Sequence, residues 1–469
     1  MTWWSTIVLG YNGLIFSYFI FVDTFYVVMT LLAFKAILTH LIHTRHVTPY
    51  RLYQSGMTPP ISILMPAYNE AATIVECVRS MSLVRYPETE IIVINDGSKD
   101  ATLQTLVDTF GLKPVQRTPL RPLSHKPIRG TYASPNYPNL LVVDKVNGGK
   151  ADALNVGISL SRCPLFCAVD ADSLLQEDAL ERVVQPFLQN PRTVATGGFI
   201  RVVNGCAVHA GRVIKVGLPR NLVALFQIVE YLRAFYLGRM GWNPTGGLLI
   251  ISGAFGLFKT QAVAEVGGYL TSSVGEDMEL VVRLHRQMAE RGQEYEVAFV
   301  PDPVCWTEVP ESTKVLGRQR DRWHRGLLDT LIRHRGMLFR RRYKAAGMAA
   351  MPYFWLVEVF GPVIELSGYV LIPVAAWLGL INWFAFQVFL ALSILFGILL
   401  SVSAVLAEEL SFRRYRSYGQ LLALFGIAVL ENLGYRQLTG WWRLRGIYTF
   451  LKGGHQWGEM TRKGFSKAS

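Results

Sequence analysis

Four aspartates in the middle of this 469-residue chain, Asp96, Asp170, Asp172 and Asp277, stand where a carboxylate could do chemistry, and Gln319, Arg322 and Trp323 follow them. Asp170 and Asp172 close the apolar run Pro164 to Val169. Strand residues two apart share a face, so both carboxylates could reach one cation. Mg²⁺ and Mn²⁺ take oxygen ligands and commonly join one or two carboxylates to substrate phosphates. Displacing a diphosphate requires its developing charge to be neutralised, work that a divalent cation, Lys150 and Arg322 could share. An attacking hydroxyl must also lose its proton to a carboxylate within about 2.6 to 3.2 Å, and Asp277 is the candidate. The bland alternative is that Glu276 and Asp277 cap a helix predicted over Met278 to Arg291, since acidic residues suit a helix start.

Three other segments offer room for an anion. Pro66-Ala67-Tyr68-Asn69-Glu70 turns from strand to helix, where backbone N–H groups are free. Asp96-Gly97-Ser98 repeats the arrangement at the next strand end, with a glycine that permits close backbone approach. Gly148 and Gly149 then precede Lys150 at a predicted helix start, a good place to meet a phosphate.

The elements that must hold these residues alternate in type. Ile61 to Met65 and Glu90 to Asn95 have the composition of buried strands, and Glu70 to Met81 has a helical pattern. Such alternation predicts an α/β sheet that presents ligands at the carboxyl ends of its strands. Between Lys113 and Asn139 six prolines predict an irregular surface loop.

The wording and order of these motifs, from about Pro59 to Leu331, resemble the membrane-embedded, inverting family 2 glycosyltransferases, particularly poly-N-acetylglucosamine, hyaluronan and chitin synthases. The resemblance implies a GT-A type nucleotide-sugar-binding domain, a mostly parallel sheet flanked by helices, inserted between transmembrane helices. It implies that Tyr68, Glu70, Asp96, Lys150 and Asp170 contact the nucleotide sugar, that Asp172 ligates Mg²⁺ or Mn²⁺, and that Asp277 is the catalytic base. Gln319, Arg322 and Trp323 match the Gln-x-x-Arg-Trp signature of processive members, in which these side chains hold the diphosphate and the acceptor end. Gly253, Ala254 and Phe255 match the acceptor-side loop, and Glu276 falls on the acceptor side too. Ser252-Gly253-Ala254-Phe255-Gly256 departs from the cysteine-bearing version of that loop.

The expected activity is inverting, processive transfer of a sugar, N-acetylglucosamine foremost, from a UDP-sugar to a growing β-linked polysaccharide that crosses the membrane. Two other readings stay open. One is a single-addition transferase acting on a lipid-linked or short acceptor, and the other is a non-catalytic scaffold of polysaccharide export. Product length separates the first, and lack of activity with metal supplied would favour the second.

Composition sets the surroundings. Hydrophobic residues make up 51% and charged residues 17%, so much apolar surface must meet lipid. The net charge of +13 concentrates in places that flank apolar stretches, as in Arg318 to Lys344 and Arg413 to Arg416, a cytoplasmic-flank pattern. No basic and aromatic module for nucleic acid is visible. The predicted layout is an N-terminal transmembrane anchor over 1–50 and a cytosolic catalytic domain over 51–330. An interfacial basic helix follows over 331–351. Transmembrane helices then fill 352–440, two full spans plus one short or re-entrant segment, and a cytosolic interfacial tail occupies 441–469. The spans are expected at about Leu14 to Leu41, Pro352 to Leu378 and Trp383 to Leu406, each long enough for about 30 Å of hydrocarbon. The expectation is a multi-pass inner-membrane protein with room for accessory membrane or export subunits. Asp23 reads first as an interfacial or helix-contact residue and second as part of a polar conduit, and Glu365, Glu408, Glu409 and Glu431 as residues that could line a polymer path. The five cysteines form no zinc spacing or Cys-x-x-Cys pair and are expected to be reduced.

Overall fold

The computed structural model describes residues 3–46, 58–415 and 417–453. A long helix, α1 (Trp3–His46), opens the chain. The first half of the sheet domain runs β1 (Ile61–Ala67), α2 (Ile74–Ser82), β2 (Thr89–Asn95), α3 (Thr102–Phe110), β3 (Lys113–Val115), β4 (Ile128–Ala133), β5 (Leu140–Lys145), α4 (Lys150–Leu160), β6 (Leu165–Val169) and β7 (Ser173–Leu175). The second half runs β8 (Thr193–Val202), β9 (Ala207–His209), β10 (Arg212–Lys215), α5 (Leu222–Tyr231), β11 (Phe255–Lys259), α6 (Glu276–Glu290), β12 (Glu296–Thr307) and α7 (Thr313–Arg333). The chain closes with α8 (Phe360–Trp377), α9 (Trp383–Phe412), α10 (Tyr418–Leu430) and α11 (Tyr435–Leu451).

Ten strands form one sheet in the order β3-β4-β5-β2-β1-β6-β11-β8-β12-β7. Its centre, β5-β2-β1-β6, is parallel, as βαβ crossovers require. β11 runs antiparallel to both β6 and β8, and β12 returns parallel to β8. The sheet is therefore mixed, of GT-A type, and less parallel than expected. The cause is that β11 starts where β6 ends, so that it must run back down the sheet.

Central strands buried on both faces carry apolar side chains without alternation. β1 is buried along its whole length. Ile63 and Met65 point into one core with α2 and α3, while Leu64 joins a second core on the opposite face. That second core is continuous from α4 through Met29, Ala33 and Ile37 of α1 to Ala404 and Val405 of α9. His40 of α1 also pairs with Asp302 of β12 at 2.6 Å. Sheet domain and apolar helices thus share packing. All five cysteines are buried and free.

Two expectations are corrected. The proline-rich segment is not wholly irregular, since β3 and β4 form an antiparallel pair at the sheet margin. Pro114 is accommodated because β3 is an edge strand, where a missing donor costs no ladder bond. Residues 331–351 do not form one basic helix. α7 ends at Arg333, short 3-10 turns follow at Arg335–Met337 and Arg341–Tyr343, and Phe339 and Lys344 take positive φ. Adjacent like charges at Arg340, Arg341 and Arg342 disfavour a continuous helix, and the Phe339 amide instead donates to the Gly347 carbonyl at 3.1 Å.

Among the described residues, three helices are long and apolar enough to cross a membrane: Gly10–Ile42, Ala346–Trp377 and Trp383–Phe412. α10 is apolar but has only 13 residues, roughly 20 Å of helix. α11 then lies along α7 at close range. An added Cβ on Gly317 would meet the Trp442 ring at 2.7 Å, and one on Gly446 would meet the Asp321 carbonyl oxygen at 3.0 Å. Trp457 and Arg462, in the expected interfacial tail, lie outside the described residues.

Candidate active site

Strand register assembles the site. Ala67 pairs with Asn95, and Asn95 with Asp144, so Tyr68, Asp96 and Lys145 emerge together at the carboxyl edge. Phe255 pairs with Val169, which sets Gly253 and Ala254 beside Asp170. The Asp170 amide donates to the Ala254 carbonyl, and the Ser173 amide closes a turn onto the Asp170 carbonyl at 3.1 Å.

Asp96 is the hub of the contacts at this edge. Its Oδ1 accepts from Lys145 Nζ at 2.5 Å and from the Gly148 amide at 2.9 Å, and its Oδ2 accepts from the Gly149 amide at 2.7 Å. The carboxylate is buried and holds the glycine turn that delivers Lys150. Lys145 is fully buried and also meets Asp152 at 2.6 Å. Gly148 is required there because a Cβ would collide with the Asp152 carboxyl. Sequence reasoning did not single out Lys145 or Asp152. The available signal was a lysine ending the buried strand Leu140–Lys145 three residues before a glycine pair.

Lys150 and Asp277 are joined through Gly253. Lys150 Nζ lies 2.5 Å from Asp170 and 3.7 Å from Glu276, and donates to the Gly253 carbonyl at 3.0 Å. The Gly253 amide donates to Asp277 Oδ2 at 3.0 Å, and Asp277 Oδ1 accepts from the Met278 amide at 2.8 Å. Burial alone would push the Lys150 ammonium down, but Asp170, Glu276 and Asp277 reverse this and hold it above the usual lysine range. Burial pushes Glu276 up to about 7, with Lys150 opposing and Asp277 reinforcing. Asp277 also lies in the first turn of α6, as the helix-start expectation has it.

The Asp-Ala-Asp segment is a turn rather than a continued strand, so its two carboxylates part company. Asp170 turns to Lys150, while Asp172 is buried on the cavity wall with Oδ1 accepting from the Ser173 hydroxyl at 3.2 Å. No group of three or more His, Cys, Asp or Glu residues among the described residues forms a metal cage. A single carboxylate completed by phosphate oxygens nevertheless suits Mg²⁺ or Mn²⁺.

One cavity of about 2430 Å³ connects these groups. Tyr68, Glu70, Lys150, Asp170, Asp172 and Asp277 line its sheet end. Gln319, Arg322, Trp323, Gly253, Ala254 and Glu276 line the middle. It then continues between apolar helices past Asp23, Tyr26, Glu365, Tyr369 and Arg436. Asp23 is thus a wall residue and not merely a helix contact. Of the four glutamates expected on a path, Glu365 lines it. Glu408 is buried against Arg201, and Glu431 is buried against the Ser401 hydroxyl, 3.4 Å from Arg233. Glu409 is not on the wall. Phe255 also fails to reach the cavity, because it is the first residue of β11 and points into the sheet core.

The deciding comparison is a match of residues 165–429, more than half of the chain, to the family described as Glycosyl transferase family group 2. This chain belongs to glycosyl transferase family group 2. Residues 62–118 also match Glycosyl transferase family 2. The chain is similar to a poly-β-1,6-N-acetyl-D-glucosamine synthase of Staphylococcus epidermidis, 30% identical over 273 residues, covering 58% of this chain and 56% of the relative. It is similar to the synthase of the same name from Staphylococcus aureus, 28% identical over 274 residues with the same coverage. The match thus spans about half the length of these relatives. Among solved structures, a mannosyltransferase from Pyrobaculum calidifontis aligns over 88% of this chain and 99% of its own, with 19% identity and a TM-score of 0.49.

Proposed function

We propose that this protein transfers a sugar, N-acetylglucosamine foremost, from a UDP-sugar to the end of a β-linked polysaccharide, with inversion and processively, and passes the product through its own helices. The observation that carries this is the unbroken cavity from Asp172 and Asp277 to Asp23 and Glu365. A single addition to a short acceptor needs no such extension, and product length separates a polymer from a single addition to a lipid-linked acceptor. The activity named for the staphylococcal relatives supports N-acetylglucosamine as the sugar.

In this scheme the acceptor hydroxyl approaches Asp277, which takes its proton while the Gly253 and Met278 amides keep the carboxylate aimed. Direct in-line attack with one base converts an α-linked donor to a β-linked product. Lys150 and Arg322 face the departing diphosphate, and Tyr68 and Glu70 flank the nucleotide. Trp323 offers an aromatic face to the acceptor sugar. Asp172 would hold Mg²⁺ or Mn²⁺, which when bound neutralises charge on the diphosphate.

The catalytic domain would lie in the cytosol between the first and second spans. Packing of α11 along α7 supports a C-terminal segment on that same side, hence an α10 that dips into the bilayer without crossing. The test is incubation of purified protein with a panel of UDP-sugars and Mg²⁺ or Mn²⁺, following UDP release and sizing the product. A long polymer from UDP-N-acetylglucosamine is expected. A single added residue would overturn processivity, and no UDP release from any donor would overturn the transferase.

A further inference from the structure

We infer that Glu230 is a positioning residue for the acceptor, fixing the Trp323 ring through Arg320 and tied to the C-terminal helix by Tyr435. This rests on the transferase function proposed above. Glu230, at the end of α5, accepts with one oxygen from Arg320 Nη2 at 2.7 Å and from the Tyr435 hydroxyl at 2.7 Å. The Arg320 guanidinium carbon sits 4.2 Å from the Trp323 ring centroid. Residues 320 and 323 are neighbours on one helix face, so the cation lies over the indole. Phe235 touches the same ring, with centroids 5.9 Å apart.

Arg320 has little else to orient it. Its Nε and Nη1 find no hydrogen-bond partner among the described residues, and the side chain is almost wholly buried. Glu230 is therefore the carboxylate that decides where the guanidinium points. Trp323 is the reverse case, 37% exposed and on the cavity wall. A ring serving as a sugar platform must be held in one attitude, because a displacement of about 1 Å at a positioned group can cost about a hundredfold in rate. Arg320 occupies a motif position whose identity the Gln-x-x-Arg-Trp signature leaves open, and here it supplies the brace.

Tyr435 extends the relay. It opens α11 just after Gly434, whose φ of +107° marks a sharp turn, and its ring stacks on Phe226 of α5 with centroids 4.7 Å apart. Movement of the C-terminal helices would thus reach the acceptor platform through two hydrogen bonds.

The test uses full-length Glu230→Gln, Tyr435→Phe and Arg320→Lys in lipid nanodiscs. UDP release from UDP-N-acetylglucosamine is followed with and without a pentamer of β-linked N-acetylglucosamine as acceptor. All three variants should raise the acceptor KM by about fivefold or more while the donor KM and acceptor-independent UDP release stay within about twofold. Arg320→Lys keeps the charge on Glu230 but lacks a planar face for the ring, so it should not restore wild-type behaviour. Unchanged acceptor KM in Tyr435→Phe, which removes one hydroxyl only, overturns the relay even if Glu230→Gln does not fold. Donor and acceptor constants rising together overturn it as well, since general loosening would do that. Wild-type protein that releases no UDP overturns the transferase itself, whereas acceptor-stimulated wild-type turnover with insensitive variants overturns only the relay.

Discussion

Lys145 Nζ and Asp96 Oδ1 stand 2.5 Å apart at neighbouring strand ends, the lysine fully buried. The same ammonium holds Asp152, so Lys145→Met would strand two buried carboxylates. A loss of about 3 to 5 kcal/mol is expected, together with activity, because the Asn147 to Gly149 turn loses its anchor. Denaturant unfolding of the solubilised protein measures this. A stability within about 0.5 kcal/mol of wild type would contradict the buried triad.

Asp277→Asn keeps an oxygen for the Gly253 amide but cannot take a proton. Transfer should fall by about 10² to 10⁴ with UDP binding retained. Parallel measurement of UDP release and UDP affinity checks it, and a residual rate near wild type would remove Asp277 as the base.

Gly253→Ala places a methyl group 2.8 Å from Lys150 Nζ and 3.3 Å from Asp277 Oδ2. The lysine tip must move aside and the Asp277 carboxylate must give by a few tenths of an ångström. Turnover should drop at least tenfold while stability falls by only about 1 to 3 kcal/mol. Activity and thermal unfolding on one sample decide it.

Chelation with EDTA should stop UDP release, and added Mn²⁺ or Mg²⁺ should restore it. Asp172→Asn should need more cation for the same rate, since it weakens the single protein carboxylate assigned to the metal. A cation titration superimposable on wild type would free Asp172 of that role.

Burial raises Glu276 from 4.5 to about 7. A carboxyl raised in this way binds more protons folded than unfolded. Its contribution to stability is therefore fully present below about pH 4.5 and is lost as pH rises through about 7. Glu276→Gln should flatten the fall in stability over that window, as read from denaturant midpoints at successive pH values. Parallel curves for both proteins would mean that Glu276 does not titrate there.

Much of the arrangement was legible because polar groups cluster where apolar runs stop. Ile61 to Met65 and Glu90 to Asn95 are strands in the structure, and Glu276 and Asp277 do stand in the first turn of a helix. What stayed hidden depends on register. Lys145 meets Asp96 across 49 positions only because β2 and β5 pair as they do, and no local pattern reports that. Pro114 misled because an edge strand tolerates what a central one cannot. Tyr435 and Glu230 are 205 residues apart and met only when α11 folded back along α7.

Gly253 gives its amide to Asp277 and its carbonyl accepts from Lys150. In the proposed mechanism, bond making and bond breaking are consequently geared to one residue. A small twist of that residue would disarm both halves of the reaction together, a natural safeguard against spilling activated sugar into water.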